Sequence, residues 1–180
     1  MHPWLSVPAY KDLIPRCQHL EKRVFPKSEA MDLSSELKKP NQYLFVALQR
    51  ADAESLQLLA YGVLALSRID RTARISKICT DPGFRRQGAG GLVVRSMLRA
   101  LGACDVESAE ERISQTIPLS KYICLPTTME ICAVQLHVDK ARAEAIRLYT
   151  RCGFGVKTVV PSYYAEGRDA LLMTRDINCP

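Results

Sequence analysis

The segment Arg85-Arg86-Gln87-Gly88-Ala89-Gly90-Gly91-Leu92 sets two arginines directly before a glycine-rich stretch, after a strand pattern and at the opening of a helix pattern. Glycines let the backbone curl until several N–H groups point into one small space, and a helix N-terminus adds the positive end of its dipole. Such a nest suits a pyrophosphate. It is not a Walker loop, because no Gly-Lys-Ser/Thr follows, nor a dinucleotide fingerprint, because Gly88-x-Gly90 lacks the third glycine at the required spacing. A plain glycine-rich helix start looks the same apart from the paired arginines. His137 lies in a strand pattern and could exchange a proton near neutral pH, although a lone strand histidine is often structural. Tyr149 sits on an amphipathic helix as either a core residue or a reactive hydroxyl. Tyr163-Tyr164 fall in a polar segment, where they could cover a ligand or staple a loop.

Periodicity predicts the elements that hold these residues. Leu13, Cys17, Leu20 and Val24 recur at helical spacing over 9–24, with Pro15 marking or distorting the first turn, and Phe25-Pro26 ends the segment. A short helix is expected over Glu29–Lys39, then a strand over Tyr43–Gln49. Leu58–Ser67 is an apolar run read as a buried strand that bends or bulges at Gly62. A turn at Arg68–Thr72 leads into the strand Ala73–Thr80, which Asp81-Pro82-Gly83 closes. Leu92, Val93, Met97, Leu98 and Leu101 give one apolar side to a helix from about Gly90 to Leu101. Cys104–Thr128 has weak periodicity and reads as a long loop with one helical turn. Met129–Val138 reads as a strand, and Arg142–Cys152 as a helix with Ala145, Leu148 and Tyr149 inward and Gly153 as its cap. Two strands, Phe154–Val160 and Ala170–Ile177, close the chain around a Pro161–Asp169 loop. Helices beside mostly antiparallel strands make an α+β arrangement.

The bulk properties narrow the function classes. With 180 residues, 47% hydrophobic, and no repeat or linker, the chain fits one domain, 1–180. The longest apolar stretch, Leu58–Leu66, is about half a membrane span, and Met1–Pro8 lacks the marks of a signal peptide. Seven cysteines with no CxxC or CxxxC pair fit neither zinc nor a complete disulfide framework, so reduced thiols in cytoplasm or nucleus are expected, with no metal. The net charge of +6 calls for an anionic partner, but the basic residues are not interleaved with aromatics in a nucleic-acid stripe.

Arg85-x-x-Gly88-x-Gly90 after a strand and an Asp-Pro turn resembles the phosphate motif of the GNAT superfamily of acetyl-CoA-dependent N-acetyltransferases. Leu136-His137-Val138, Ala145-Ile146-Arg147-Leu148-Tyr149 and Cys152-Gly153-Phe154 are similar to its second signature. Pro161-Ser162-Tyr163-Tyr164-Ala165-Glu166-Gly167-Arg168-Asp169-Ala170 is similar to the Tyr-Tyr loop of protein N-terminal α-acetyltransferases and the bacterial RimI enzymes. Val24-Phe25-Pro26 resembles the catalytic subunits of N-terminal acetyltransferase E, which prefer a starting methionine. The likeness covers nearly the whole chain except Cys104–Thr128.

The resemblance implies a mixed, mostly antiparallel sheet of about seven strands with a splayed pair, flanked by about four helices. It implies transfer of acetyl from acetyl-CoA to the α-amine of protein N-termini, methionine-first, by direct attack in a ternary complex. Ile78, Cys79 and Thr80 would supply backbone to the cofactor. Arg85, Arg86, Gln87, Gly88, Ala89, Gly90 and Gly91 would hold its phosphates. His137 would take the amine proton, Tyr149 would serve the leaving sulfur, and Phe25, Pro26, Tyr163 and Tyr164 would receive the peptide. Three departures stand out. No tyrosine occurs between Tyr61 and Tyr122, where a second catalytic tyrosine is kept, and Glu29 is the candidate in its stead. Arg142 replaces a cofactor-binding asparagine and would contact a coenzyme phosphate. The 104–128 insert is long. The alternatives are a small-amine (arylalkylamine or polyamine) acetyltransferase, or an acetyl-CoA-binding scaffold in a larger acetyltransferase complex or on the ribosome. Membrane partners are not expected.

Overall fold

The structure, a computed structural model, describes residues 10–51, 55–103, 116–118 and 130–177. The elements run α1 (Tyr10–Val24), α2 (Leu33–Glu36), β1 (Gln42–Arg50), β2 (Leu56–Ser67), β3 (Thr72–Thr80), α3 (Ala89–Ala100), β4 (Thr116–Pro118), β5 (Ala133–Asp139), α4 (Ala143–Arg151), β6 (Gly155–Ala165) and β7 (Arg168–Asp176). The strands form one sheet in the order β4-β1-β2-β3-β5-β7-β6, antiparallel except where β3 runs parallel to β5. The expected α+β class holds; among the described residues the sheet has seven strands, one more than periodicity places, and is flanked by four helices.

Alternation along β1 shows why the central strands are apolar on both sides. Leu44, Val46 and Leu48 pack with Leu13, Cys17 and Leu20 of α1, while Phe45 and Ala47 pack with Val93, Met97 and Leu98 of α3. The sheet is thus the middle of three layers, and its strands read as near-continuous hydrophobic runs. Tyr149 and Phe154 bring α4 and its C-terminal turn into the α3 layer.

Several expectations need correction. The second helix is only Leu33–Glu36, capped by Asp32, rather than Glu29–Lys39. Residues 25–32 are instead pinned by tertiary bonds such as Met31 N–H to Glu21 Oε1 at 2.8 Å. Gly62 does not bulge: it pairs in register with Phe45 and Ile78, and the shifts fall at Ala47/Leu48 and Val63/Leu64. Gly62 is needed for closeness, since a Cβ there would lie 2.5 Å from Ile78 Cδ1 and 2.6 Å from Met97 Cε. The expected Pro161–Asp169 loop is mostly strand: β6 runs to Ala165 and turns tightly, with a wide bulge between Val160 and Ala165. Asp169 Oδ1 accepts from the backbone N–H of Ser162, whose φ is 50°, and this bond holds the bulge. The 104–128 insert lies outside the described residues except for β4, a strand the sequence reading did not anticipate.

Candidate active site

The parallel pairing of β3 with β5 stops early. Its last partners are Ile75 and Leu136, so Ser76–Thr80 and His137–Asp139 diverge. The cause is local. β3 carries one extra residue at Ser76 relative to β2, where Val63 faces Lys77 and Leu64 faces Ile75. A bulge bends its strand and increases its twist, and here it steers β3 away from β5. The gap becomes a cleft of about 450 Å³ lined by residues from both sides of the sheet. Tyr149 and Ala145 come from the α4 layer, and Phe25 and Glu29 from the α1–α2 segment.

His137 is the first β5 residue beyond the pairing, and its ring lies against that of Tyr163, with centroids 4.4 Å apart and planes 4° from parallel. Tyr164 stands edge-on to Tyr163 at 4.9 Å, and its hydroxyl donates to the His137 carbonyl at 3.3 Å. Partial burial, followed by the nearby Arg74 charge, holds the imidazole pKa below its ordinary value. It is therefore neutral at pH 7 and can accept a proton. Tyr149 is buried and meets Phe154 edge-on at 6.1 Å. Burial raises its pKa, so its hydroxyl keeps its proton.

Salt bridges frame the opposite wall. Glu29 accepts from Arg168 Nη1 at 2.7 Å and from Arg142 Nη2 at 3.1 Å. Arg168 also grips Asp139, whose other oxygen takes the Ala141 N–H at 2.9 Å. The Arg168 hydrogen bond, and then the Ala141 N–H, hold the Asp139 carboxyl below the usual range. Lys77 spans the floor. Its Nζ lies 4.0 Å from the Phe25 ring centroid, 3.1 Å from Glu21 Oε1 and 2.9 Å from the Glu29 carbonyl. Glu21 is fully buried and also accepts from the Tyr61 hydroxyl.

At the far end of β3 the glycine-rich loop has the expected form. Arg86 and Gly88 take φ of 61° and 90°, no side chain caps α3, and Arg85, Arg86, Gln87 and Gly88 are exposed. First-turn N–H groups of such a helix have no intrahelical partner. Gly90 lets α3 approach closely: a Cβ there would lie 2.9 Å from Thr80 Oγ1 and 3.4 Å from Leu148 Cδ2. Ile78 lines the cleft and lies beside Gly90, so the loop and the cleft adjoin.

The predicted residues therefore fall into two adjoining groups. Phe25, Glu29, Ile78, His137, Arg142, Tyr149, Tyr163 and Tyr164 line the cleft. Arg85, Arg86, Gln87, Gly88, Ala89, Gly90 and Gly91 form the loop and first turn, with Ala89, Gly90 and Gly91 buried. Cys79 turns its buried side chain to the α1 layer, so that only its backbone can serve the cleft. Pro26 is exposed and outside the lining, and Arg142 faces Phe25 and Glu29 instead of the glycine-rich loop. Arg74, Lys77, Asp139 and Arg168 were not anticipated. Strand alternation around Arg74 was a usable signal, whereas the bulge at Ser76 that turns Lys77 toward Glu21 was not.

The chain has the fold of the GNAT acetyltransferases. Arabidopsis thaliana NAA60, solved with a bisubstrate analogue, matches at 16% identity with a TM-score of 0.66 over 92% of this chain and 94% of its own. A Desulfovibrio desulfuricans protein of the GNAT family matches at 15% identity and 0.63 over 96% and 95%. The ribosomal-protein-S18-alanine N-acetyltransferase of Escherichia coli matches at 20% identity and 0.61 over 93% and 89%. No family model matches the sequence.

Proposed function

We propose that the protein transfers acetyl from acetyl-CoA to the α-amine of protein N-termini, with methionine-first substrates favoured. The observation that carries this reading is the opening between β3 and β5, with the His137 imidazole at its apex and the uncapped glycine-rich start of α3 at its end. The exposed arginines, the positive φ at Arg86 and Gly88, and the tight seat of Gly90 suit a pyrophosphate-bearing cofactor held by Arg85–Gly91. When bound, acetyl-CoA supplies the acetyl group as an activated thioester. The β3 edge left unpaired beyond Ile75 offers backbone groups to bind an extended chain and to polarise a carbonyl.

The remaining chemistry belongs to the side chains. A peptide α-amine has a pKa of about 7.7–8.0, so little basicity is needed to keep it reactive. His137 takes the amine proton on its imidazole, directly or through one water. Tyr149 holds a proton at Oη that is available to a leaving sulfur. Tyr163 and Tyr164 cover the first residues of the peptide, and Phe25 offers an apolar face to the first side chain. Glu29 and Asp139 are both engaged by arginines, so the described residues of the cleft include no free acid of the kind a polyamine would require. This favours a peptide over a small polycationic amine. Lys22, Arg23, Lys27, Lys38 and Lys39 are exposed and could face a ribosome or a larger acetyltransferase complex in the cytoplasm or nucleus.

Mass spectrometry of a peptide library with varied first residues, incubated with protein and acetyl-CoA, tests the reading. Acetylated α-amines with methionine-first peptides enriched are expected. Acetylation of small amines alone would overturn it.

A further inference from the structure

Among the described residues, the charges around the cleft pair off with one exception. Lys77 is neutralised by Glu21, and Arg142 by Glu29. Arg168, just outside the lining, is held by Asp139 and Glu29. Among the described residues, Arg74 is the one cation lining the cleft without a carboxylate partner. Its side chain is exposed to the cleft space, and its backbone pairs with Gln135, two residues before His137 on the neighbouring strand. Residues two apart on a strand share a face, so Arg74, Gln135 and His137 lie on the same side. Arg74 and His137 both line the cleft.

An unpaired guanidinium beside a proton acceptor is a costly neighbour for a cationic amine, unless the amine brings an anion with it. Guanidinium binds carboxylate through a planar fork of donors, often bidentately. We propose that Arg74 is an anion subsite that selects acceptor peptides carrying a carboxylate side chain on one of their first two residues. This rests on the peptide-acetyltransferase reading above. The carboxylate completes the charge pairing of the cleft, offsets the Arg74 field at the attacking amine, and leaves Phe25 free for an apolar neighbour. A methionine-first peptide with an acidic second residue satisfies both features.

The test uses the full chain and peptides matched except for Glu against Gln at position one or two. Both acetyl transfer and equilibrium binding are measured for wild type, Arg74→Gln, Arg74→Lys and Arg74→Glu. Wild type should favour the acidic member by about tenfold in kcat/KM, as expected for a charge-assisted hydrogen bond. The ratio should fall to about one in Arg74→Gln and survive in part in Arg74→Lys, and Arg74→Glu should turn the preference to a Lys-bearing peptide. The position at which the ratio appears identifies the residue read. A wild-type ratio near one, or a ratio that Arg74→Gln leaves intact, overturns the subsite. If wild type acetylates no peptide, the acetyltransferase reading fails, and the binding ratios still decide the subsite: equal binding of acid and amide peptides overturns it too.

Discussion

The imidazole of His137 and the ring of Tyr163 lie face to face, 4.4 Å apart and 4° from parallel. They come from different strands, β5 and the bulged stretch of β6, and the stack ties the proposed proton acceptor to the segment proposed to cover the substrate. An aromatic pair of this kind contributes about 0.5–1.5 kcal/mol beyond its buried area. Tyr163→Ala should therefore lower kcat/KM about three- to tenfold, while Tyr163→Phe keeps the stack and most of the activity. Steady-state kinetics on one good peptide would separate the two.

The lowered pKa of His137 fixes the sign of the pH profile. Lowering favours the neutral form, so the His137 limb of the kcat/KM profile should lie below about 6.5, apart from the limb that the peptide α-amine contributes at about 7.7–8.0. Burial is the larger cause and Arg74 the second, so Arg74→Gln should move this acid limb upward. His137→Gln should remove the limb and cost about 10²–10⁴ in rate. A limb that persists in His137→Gln would assign the titration elsewhere.

Gly88 adopts φ 90° at the start of α3, a conformation that costs an L-residue about 1–2 kcal/mol. Gly88→Ala should weaken acetyl-CoA binding about tenfold, read by calorimetry on the purified protein. Unchanged affinity would show that the cofactor does not depend on the loop in this form.

Gly62 sits between Ile78 and Met97 with no room for a methyl group. Gly62→Ala forces both side chains and the Lys77 carbonyl, 3.0 Å from the added atom, to yield. A destabilisation of about 1–3 kcal/mol is expected from denaturant titration.

Glu21 is fully buried and depends on Lys77, Tyr61 and the Met31 N–H. Removing one partner leaves charge or acceptor uncompensated. Lys77→Met should cost about 3–5 kcal/mol and Tyr61→Phe about 1–3 kcal/mol. Equal stability of Tyr61→Phe and wild type would show that the hydroxyl contributes nothing net.

The sequence by itself determined the parts whose signals are local. Apolar periodicity placed α1, α3, α4 and the central strands, because a helix or strand must turn its apolar residues to one layer or two. The glycine spacing of Arg85–Gly91 marked a helix start with a left-handed residue before it, because Gly88 adopts positive φ readily and a helix start leaves N–H groups without intrahelical partners. His137, Tyr149 and the tyrosine pair were singled out through their likeness to a known family, and all four line the cleft. Tertiary structure decided the rest. The extra residue at Ser76, visible only against the β2 register, parts β3 from β5 and creates the cleft. The run after Phe25 is held by Glu21 and Gln18 from α1, so helical propensity over Glu29–Lys39 gave way to hydrogen bonds across the chain. Glu29 and Arg168 meet from 139 residues apart, and their pairing with Arg142 and Asp139 leaves Arg74, among the described residues lining the cleft, as the cation without a carboxylate partner. Charge pairing depends on distances between strands and loops, and no spacing along a single chain encodes those distances.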